Sequence, residues 1–440
     1  MTSISKRLNR IDRSSNWLMH QPHDTIQIAQ NRGCRWHTVI VPRFLPFRAL
    51  RYAPSTDLNK TCAPPYDVLN DSDRANLVAQ HDHNIVNIDL PIATSAQPDA
   101  YLAAAQTLRN WIQSGVLVRD QSPSFTLYRM QFRDTIGNQR NIVGVLGGIE
   151  VVDEGAGDVL PHERTTPKAK TDRLDLTRAT DANLSPVWGL SLAPGLSEIL
   201  KAPAEVVGSY VDDQGVTHTV ERVSDPTRIA SITDCIAKHP VIIADGHHRY
   251  AISRTYRDET RLRTNSTATD AEQTLTFVNE LIDEQLSVAA IHRLYTDVST
   301  TALLEELAKS FTISDAPPIS ASTLATMDKD GCLCFIDGDL QTKWLTPRED
   351  AFVGVRSLDS ARLEHALRDL SHTVSFQHGV GEVVDVLTRL QANAAILIRP
   401  VSVAEIKRTA SEGILMPPKS TFFTPKLRTG FVIRELNTRD

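Results

Sequence analysis

Apolar positions recur at helical spacing over residues 99 to 114, where Tyr101, Ala104, Ala105, Leu108, Trp111 and Ile112 share one face and Gly115 ends the run. A shorter helix is expected over 71 to 81, capped by Asp71 or Ser72, and Ile85 to Leu90 alternates as a strand would. The period then shortens to two. Phe125 to Arg133 and Asn141 to Ile149 flank Gly137-Asn138 and predict a hairpin, and residues 208 to 223 predict another around Asp212-Asp213-Gln214-Gly215. A helix follows from Pro226, with Ile229, Ile232 and Ile236 on one side. Pro240 to Ala244 reads as a short buried strand that runs straight into Asp245-Gly246, with helix resuming from Tyr250 to about Thr260. Beyond it, strands are expected at 275 to 282, 290 to 295, within 325 to 345 and at 394 to 398, with helices at 300 to 311, 359 to 370 and 380 to 390.

This alternation predicts an α/β fold of the mixed α+β kind, with mixed sheets and flanking helices. A chain of 440 residues exceeds what one hydrophobic centre usually serves. Four regions are expected: a poorly ordered N-terminal extension (1–40), an N-terminal α/β region (41–150), a central catalytic or ligand-binding region (151–290), and a C-terminal α/β region (291–440) whose tail can return to the site.

Polar residues depart from this pattern between about 150 and 190. Pro161-His162-Glu163-Arg164-Thr165, then Lys168, Lys170, Asp172 and Arg173, then Asn183 and Ser185 stand among apolar segments, where ionisable groups are costly to bury unless they face one another or a ligand. The second dense stretch is Asp245-Gly246-His247-His248-Arg249. Glycine permits a turn and close ligand approach, Arg249 can hold two anionic oxygens in a fork, and the imidazoles can donate to phosphate or move a proton. Phosphate or carboxylate binding is the leading reading, with a metal site or a capped surface turn as its alternatives. Glu163 is the candidate general base beside His162, Arg164 and Thr165, and Lys168 and Arg173 form a polar rim or a plain charged surface. Tyr66-Asp67, set by two prolines, and Lys419-Ser420-Thr421 in the proline-braced tail are further candidates for ligand contact or for ordinary packing.

Composition narrows the classes. A formal charge of −6, from 47 basic and 53 acidic side chains, argues against a broad nucleic-acid or anionic-membrane surface but allows a small anionic ligand. No window approaches the roughly 18 apolar residues of a membrane span, and the first 40 residues lack the apolar stretch of a secretory signal. The five scattered cysteines offer no disulfide framework, so a reducing, cytoplasmic setting is expected. Walker, dinucleotide-fingerprint, nucleophile-elbow and zincin motifs are missing from the sequence.

Six segments resemble the bacterial and archaeal family known as domain of unknown function 1015. They are Pro46 to Tyr52, Ala63 to Val68, Leu160 to Thr165, Thr180 to Pro186, Ile243 to Tyr250 and Met416 to Phe423, and together they cover the chain from about 42 to 435. The family name implies no reaction. Asp245 to Arg249 is in addition similar to the phosphate-binding stretch of the ParB/sulfiredoxin superfamily, which implies a nucleotide-binding core with Gly246, His248 and Arg249 at the phosphate-gripping positions. Sulfiredoxins carry a nucleophilic cysteine where this chain has His247, which argues against sulfinic-acid repair.

The leading expectation is nucleotide-dependent phosphoryl transfer to a small hydroxylated metabolite, an amino acid such as serine being one candidate. ATP or ADP would bind with Mg2+ held by Asp245 or Glu163, and Glu163, His162, His248 and Asp245 would form the catalytic group. Metal-dependent hydrolysis of a phosphoester and non-enzymatic nucleotide sensing are the alternatives. The expected partner is a small anionic metabolite or nucleotide, with no nucleic acid and no membrane, and a homodimer is the assembly to test for.

Overall fold

The computed structural model describes residues 42–95, 97–134, 137–161, 170–413, 415–417 and 419–437, with the side chains of residues 170 and 171 left out. The expectations for residues 1–40 and for His162, Glu163, Arg164, Thr165 and Lys168 therefore lie outside the described residues.

A nine-stranded mixed sheet organises the first two thirds of the chain. From edge to edge it runs Val159–Pro161, Val241–Asp245, Val187–Ser191, Gln273–Glu280, Gln139–Glu150, Phe125–Arg133, Thr217–Val223 and Glu205–Val211, with Phe44–Leu45 added beside Gln139–Glu150. The expected hairpin is present, with Leu127 opposite Val145 and Tyr128 opposite Gly144. Alternation decides which face each residue serves: Leu127 and Val145 pack in one apolar layer, Tyr128 and Leu146 in the other. Both faces are thus buried. At Gly144 a side chain would collide with the Phe277 ring, 2.3 Å from where its Cβ would stand, so the glycine makes room for an aromatic from the neighbouring strand.

A second sheet of six strands, all paired antiparallel, runs Phe311–Asp315, Thr342–Pro347, Leu333–Asp337, Ala394–Leu397, Ile291–Thr296 and Thr373–His378. The fold is a mixed α/β arrangement of several sheets with flanking helices. No helix among the described residues is long and apolar enough to cross a membrane.

Ile85 to Leu90 is not a strand: Val86–Asp89 is a short helix. Asn84 starts it, its side-chain oxygen accepting from Val86 N at 3.0 Å while its amide donates to the Lys60 carbonyl at 2.8 Å. Residues 325 to 345 carry strands as expected, Leu333–Asp337 and the start of Thr342–Pro347, which follow the helix Thr323–Asp330 and its end at Gly331 in the left-handed region (φ 68°).

The C-terminal tail leaves the second sheet and threads back across the first part of the chain. Phe422–Phe423 pairs with Val288–Ala289, Thr429 bridges to Ala63, Ile433 to Leu50, and Arg434–Glu435 pairs with Ala182–Asn183. Arg428 fixes the middle of this path by donating to the buried Asp212 carboxylate, which also lies 2.9 Å from His218 Nε2.

Candidate functional site

Val241 to Ala244 are buried and β-branched or small, which suits a strand enclosed on both faces. Its neighbours are Val159–Pro161, parallel, and Val187–Ser191, antiparallel. The parallel register pairs Ile243 with Pro161. Pro161 therefore ends its strand near the sheet edge on which Asp245 ends the neighbouring one. Gly246 follows at φ 82°, ψ 27°, a conformation costly for any residue with a side chain, and the 18-residue helix His247–Thr264 begins at once, with Gly246 as an N-cap that has no side chain to offer. His247, His248 and Arg249 thus occupy a first helical turn rather than a loop, three residues earlier than the expected start at Tyr250.

Arg249 folds back over this turn. Its Nη2 donates to Asp245 Oδ2 at 3.1 Å and its Nη1 to the Pro186 carbonyl, while its buried Nε has no hydrogen-bond partner among the described residues. Pro186 is held by the strand behind it, where fully buried Trp188 donates to Asn279 Oδ1 at 2.8 Å. The other Asp245 oxygen, Oδ1, lies 3.4 Å from Lys426 Nζ. Burial pushes the Asp245 carboxyl up, but Lys426 first, then Arg249 and His247, outweigh it and hold it far below the ordinary carboxylate range.

Beside this turn is a cavity of about 50 Å3 whose polar lining is Tyr66, Asp89, Arg173, Thr177, Asn183, Ser185, Arg249, Ser253 and Thr274. That is room for a phosphate-sized group or a few waters, whereas pockets for drug-sized ligands are roughly 300–1,000 Å3. Arg173, on the helix Lys170–Thr180, stacks over the Tyr66 ring at 4.1 Å and donates from Nη1 to the Asp89 carbonyl. Ser185 Oγ is 3.2 Å from both Asp89 carboxylate oxygens and 3.0 Å from Thr429 Oγ1. Burial raises the Asp89 carboxyl, and the opposing pull of Arg173, Ser185 and Arg249 does not cancel it. Burial likewise raises the Tyr66 phenol against Arg249.

The family model for proteins of unknown function DUF1015 matches residues 44–361. The chain belongs to this family. A comparison with curated proteins finds no match. Among solved structures the DUF1015 chain is similar to a free serine kinase in complex with AMP, at 8% identity over 64% of this chain and 88% of that one, with a TM-score of 0.36. A C-terminally truncated SbnI from Staphylococcus aureus matches at 13% identity over 66% and 87% of the two chains, TM-score 0.38. A conserved hypothetical protein from Pyrococcus furiosus matches at 10% over 63% and 92%, TM-score 0.35.

Five residues singled out by sequence, Tyr66, Arg173, Asn183, Ser185 and Arg249, line one cavity in this DUF1015 protein. Asn183 spends its side-chain oxygen on Leu275 N at 3.0 Å, so part of its polarity holds two segments together. Asp67 is exposed, yet its charge is felt at Arg249, Tyr66 and Asp89. Lys419, Ser420 and Thr421 are not among the lining residues. The Lys419 carbonyl accepts from Arg293, and Ser420 is buried against Ser360 at 3.2 Å. Glu163, one of the two expected magnesium ligands, is outside the described residues, and the other, Asp245, has a cation against each oxygen. Among the described residues no group of three His, Cys, Asp or Glu side chains could hold a metal ion.

Sequence reasoning passed over Asp89, Lys426 and Thr429. Asp89 falls in an apparent strand, and Lys426 and Thr429 lie five and eight residues beyond Thr421, the last of the tail candidates. The turn glycine yields a direct test. A Cβ at Gly246 would stand 2.9 Å from Arg249 Nε, and the positive φ adds strain of about 1 kcal/mol or more. Gly246→Ala is expected to displace the guanidinium and lower the melting temperature by a few degrees, and a scan with unchanged midpoint and unchanged ligand affinity would contradict it.

Proposed function

We propose that the protein binds the phosphate groups of a nucleotide and transfers a phosphoryl group to a small hydroxylated metabolite. The observation that carries this reading is Arg249: a guanidinium in the first turn of a helix, oriented by Asp245 and the Pro186 carbonyl, whose Nε has no hydrogen-bond partner among the described residues and which lines a cavity together with Arg173. Helix starts and arginine forks both favour phosphate, and transfer of a phosphoryl group needs positioning and charge dispersal more than covalent help from the protein. A cavity of about 50 Å3 lined by two arginines is of a size and charge that suit a phosphoryl group. On this reading the turn takes the role implied by its likeness to the ParB/sulfiredoxin phosphate-binding stretch. Magnesium would accompany the nucleotide, neutralising phosphate charge, with Glu163 as the candidate protein ligand.

Titration calorimetry of the full chain with ADP, and with ATP plus Mg2+, is expected to give saturable heat. ADP release on adding hydroxylated metabolites should follow. Folded protein that takes up neither nucleotide would refute the proposal, and binding without turnover across a broad metabolite panel would favour the sensing alternative.

A further inference from the structure

We infer that Asp89 is the proton acceptor for the hydroxyl that attacks the phosphoryl group, the role that sequence alone suggests for Glu163. This rests on the phosphoryl-transfer reading. The Asp89 side chain is only 6% exposed and lines the cavity. An ionised carboxylate offers about four acceptor sites. Among the described residues both oxygens share one hydroxyl, Ser185, at 3.2 Å, which itself sits 3.0 Å from Thr429 Oγ1. Arg173 Nη1 is 3.5 Å from Oδ1 and directs its better hydrogen bond to the Asp89 backbone carbonyl. Asp89 is thus a buried carboxylate with few donors among the described residues, at the wall of a polar cavity, and a ligand hydroxyl is a donor that would complete it.

The contrast with Asp245 supports the assignment. Asp245 has a cation against each oxygen and is held ionised, which makes it a weak base. Around Asp89 stand Arg173, Arg249, Ser185 and Asp67 from four different segments and Thr429 from the tail, and burial prevails over the cations. Two carboxylates whose surroundings drive them apart in acidity are how one site divides its acid and base work. In the step itself the hydroxyl oxygen forms a bond to phosphorus as the bond from phosphorus to the leaving diphosphate oxygen breaks. The breaking pair stays on the diphosphate, and the proton passes to Asp89 and then to water.

The test compares full-length wild type, Asp89→Asn and Glu163→Gln for ADP affinity, kcat and the pH dependence of kcat/KM. Asp89→Asn is expected to bind ADP within about threefold of wild type, to lose about 100-fold in kcat, and to lose the acid limb of the profile, while Glu163→Gln keeps that limb. An Asp89→Asn enzyme within tenfold of wild-type kcat and with the limb intact overturns the assignment and leaves the phosphoryl-transfer reading standing. Wild type that binds no nucleotide overturns both. If Asp89→Asn does not fold, Ser185→Ala serves instead: loss of the one hydroxyl donor should move the acid limb to higher pH, and an unmoved limb overturns the proposal.

Discussion

Arg249→Ala is expected to lose nucleotide affinity by at least 100-fold and to lower stability as well. Each charge-assisted hydrogen bond from a guanidinium to phosphate is worth roughly 1.5–3 kcal/mol, so a two-pronged grip corresponds to about 3–6 kcal/mol and to more than two powers of ten in Kd. Stability falls for a separate reason. The guanidinium is the hydrogen-bond partner of Asp245 Oδ2 and of the Pro186 carbonyl; breaking a fully buried ionic pair costs about 3–5 kcal/mol, and this pair, with Asp245 26% exposed, should cost less. Lys426 remains beside Asp245 and limits that cost. Arg249→Lys should recover part of the stability and little of the affinity, because an ammonium keeps the charge but not the planar fork. Arg257 provides the control. It lies on the same helix, its side chain 2% exposed and engaged by Asp153, Asp258 and the Val151 carbonyl, and it is not among the cavity-lining residues. Arg257→Ala should lose stability and yet bind ADP normally wherever it is folded. Calorimetry beside urea titrations separates the two effects, and an Arg249→Ala protein with wild-type affinity would remove the basis of the proposed function.

How far the sequence foretold this arrangement depended on how local the determining physics was. The hairpin from Phe125 to Ile149, the helix Ala100–Gln113 and the strand, glycine and helix around Gly246 were all legible, because period, turn residues and caps lie within a few positions of one another. Ile85 to Leu90 was misread for a physical reason. Ile85, Val86 and Ile88 are all buried, so alternation there did not report a half-exposed strand, and the deciding contact is the Asn84 side chain on Val86 N and the distant Lys60 carbonyl. The same misreading concealed Asp89, which acquires its surroundings from Arg173 and Ser185, more than eighty positions away. Tyr66, Arg173, Asn183, Ser185 and Arg249 stand out in the sequence because each lies in a dense or proline-braced polar stretch set between apolar segments. That they share a cavity depends on tertiary packing, which no local pattern encodes. Lys426 was out of reach, since its proximity to Asp245 follows from a tail that crosses between sheets and is anchored by Arg428.

That anchor leads to the second large effect, a loss of stability in mild acid. His218 is fully buried, with Nδ1 2.8 Å from the Tyr128 hydroxyl and Nε2 2.9 Å from Asp212 Oδ2. Burial, opposed by Asp212 and aided by Arg428, brings its pKa down to about 4. His292 in the second sheet is buried too, and burial, then Arg293 and His378, bring it to about 4. An unfolded histidine titrates near 6.5. Both groups are therefore protonated more readily in the unfolded chain: their contribution is complete above pH 6.5 and disappears as pH falls toward 4. At pH 5 the loss is roughly 2 kcal/mol for each, about 4 kcal/mol together. Asp89, raised by burial, acts in the opposite sense and offsets part of it. Urea titrations at pH 7.5 and pH 5.0 should show the difference, and His218→Gln, which carries no titrating ring, should reduce it by about half. Identical midpoints at the two pH values would mean that these rings are not held neutral by the fold. The structural consequence is specific, because protonating His218 sets a second cation against Arg428, the residue that ties the tail to Asp212 two positions beyond Lys426. Acid should therefore loosen the tail at the point where it reaches Asp245, and proteolysis between residues 419 and 430 is expected to quicken at pH 5 before the sheets themselves unfold.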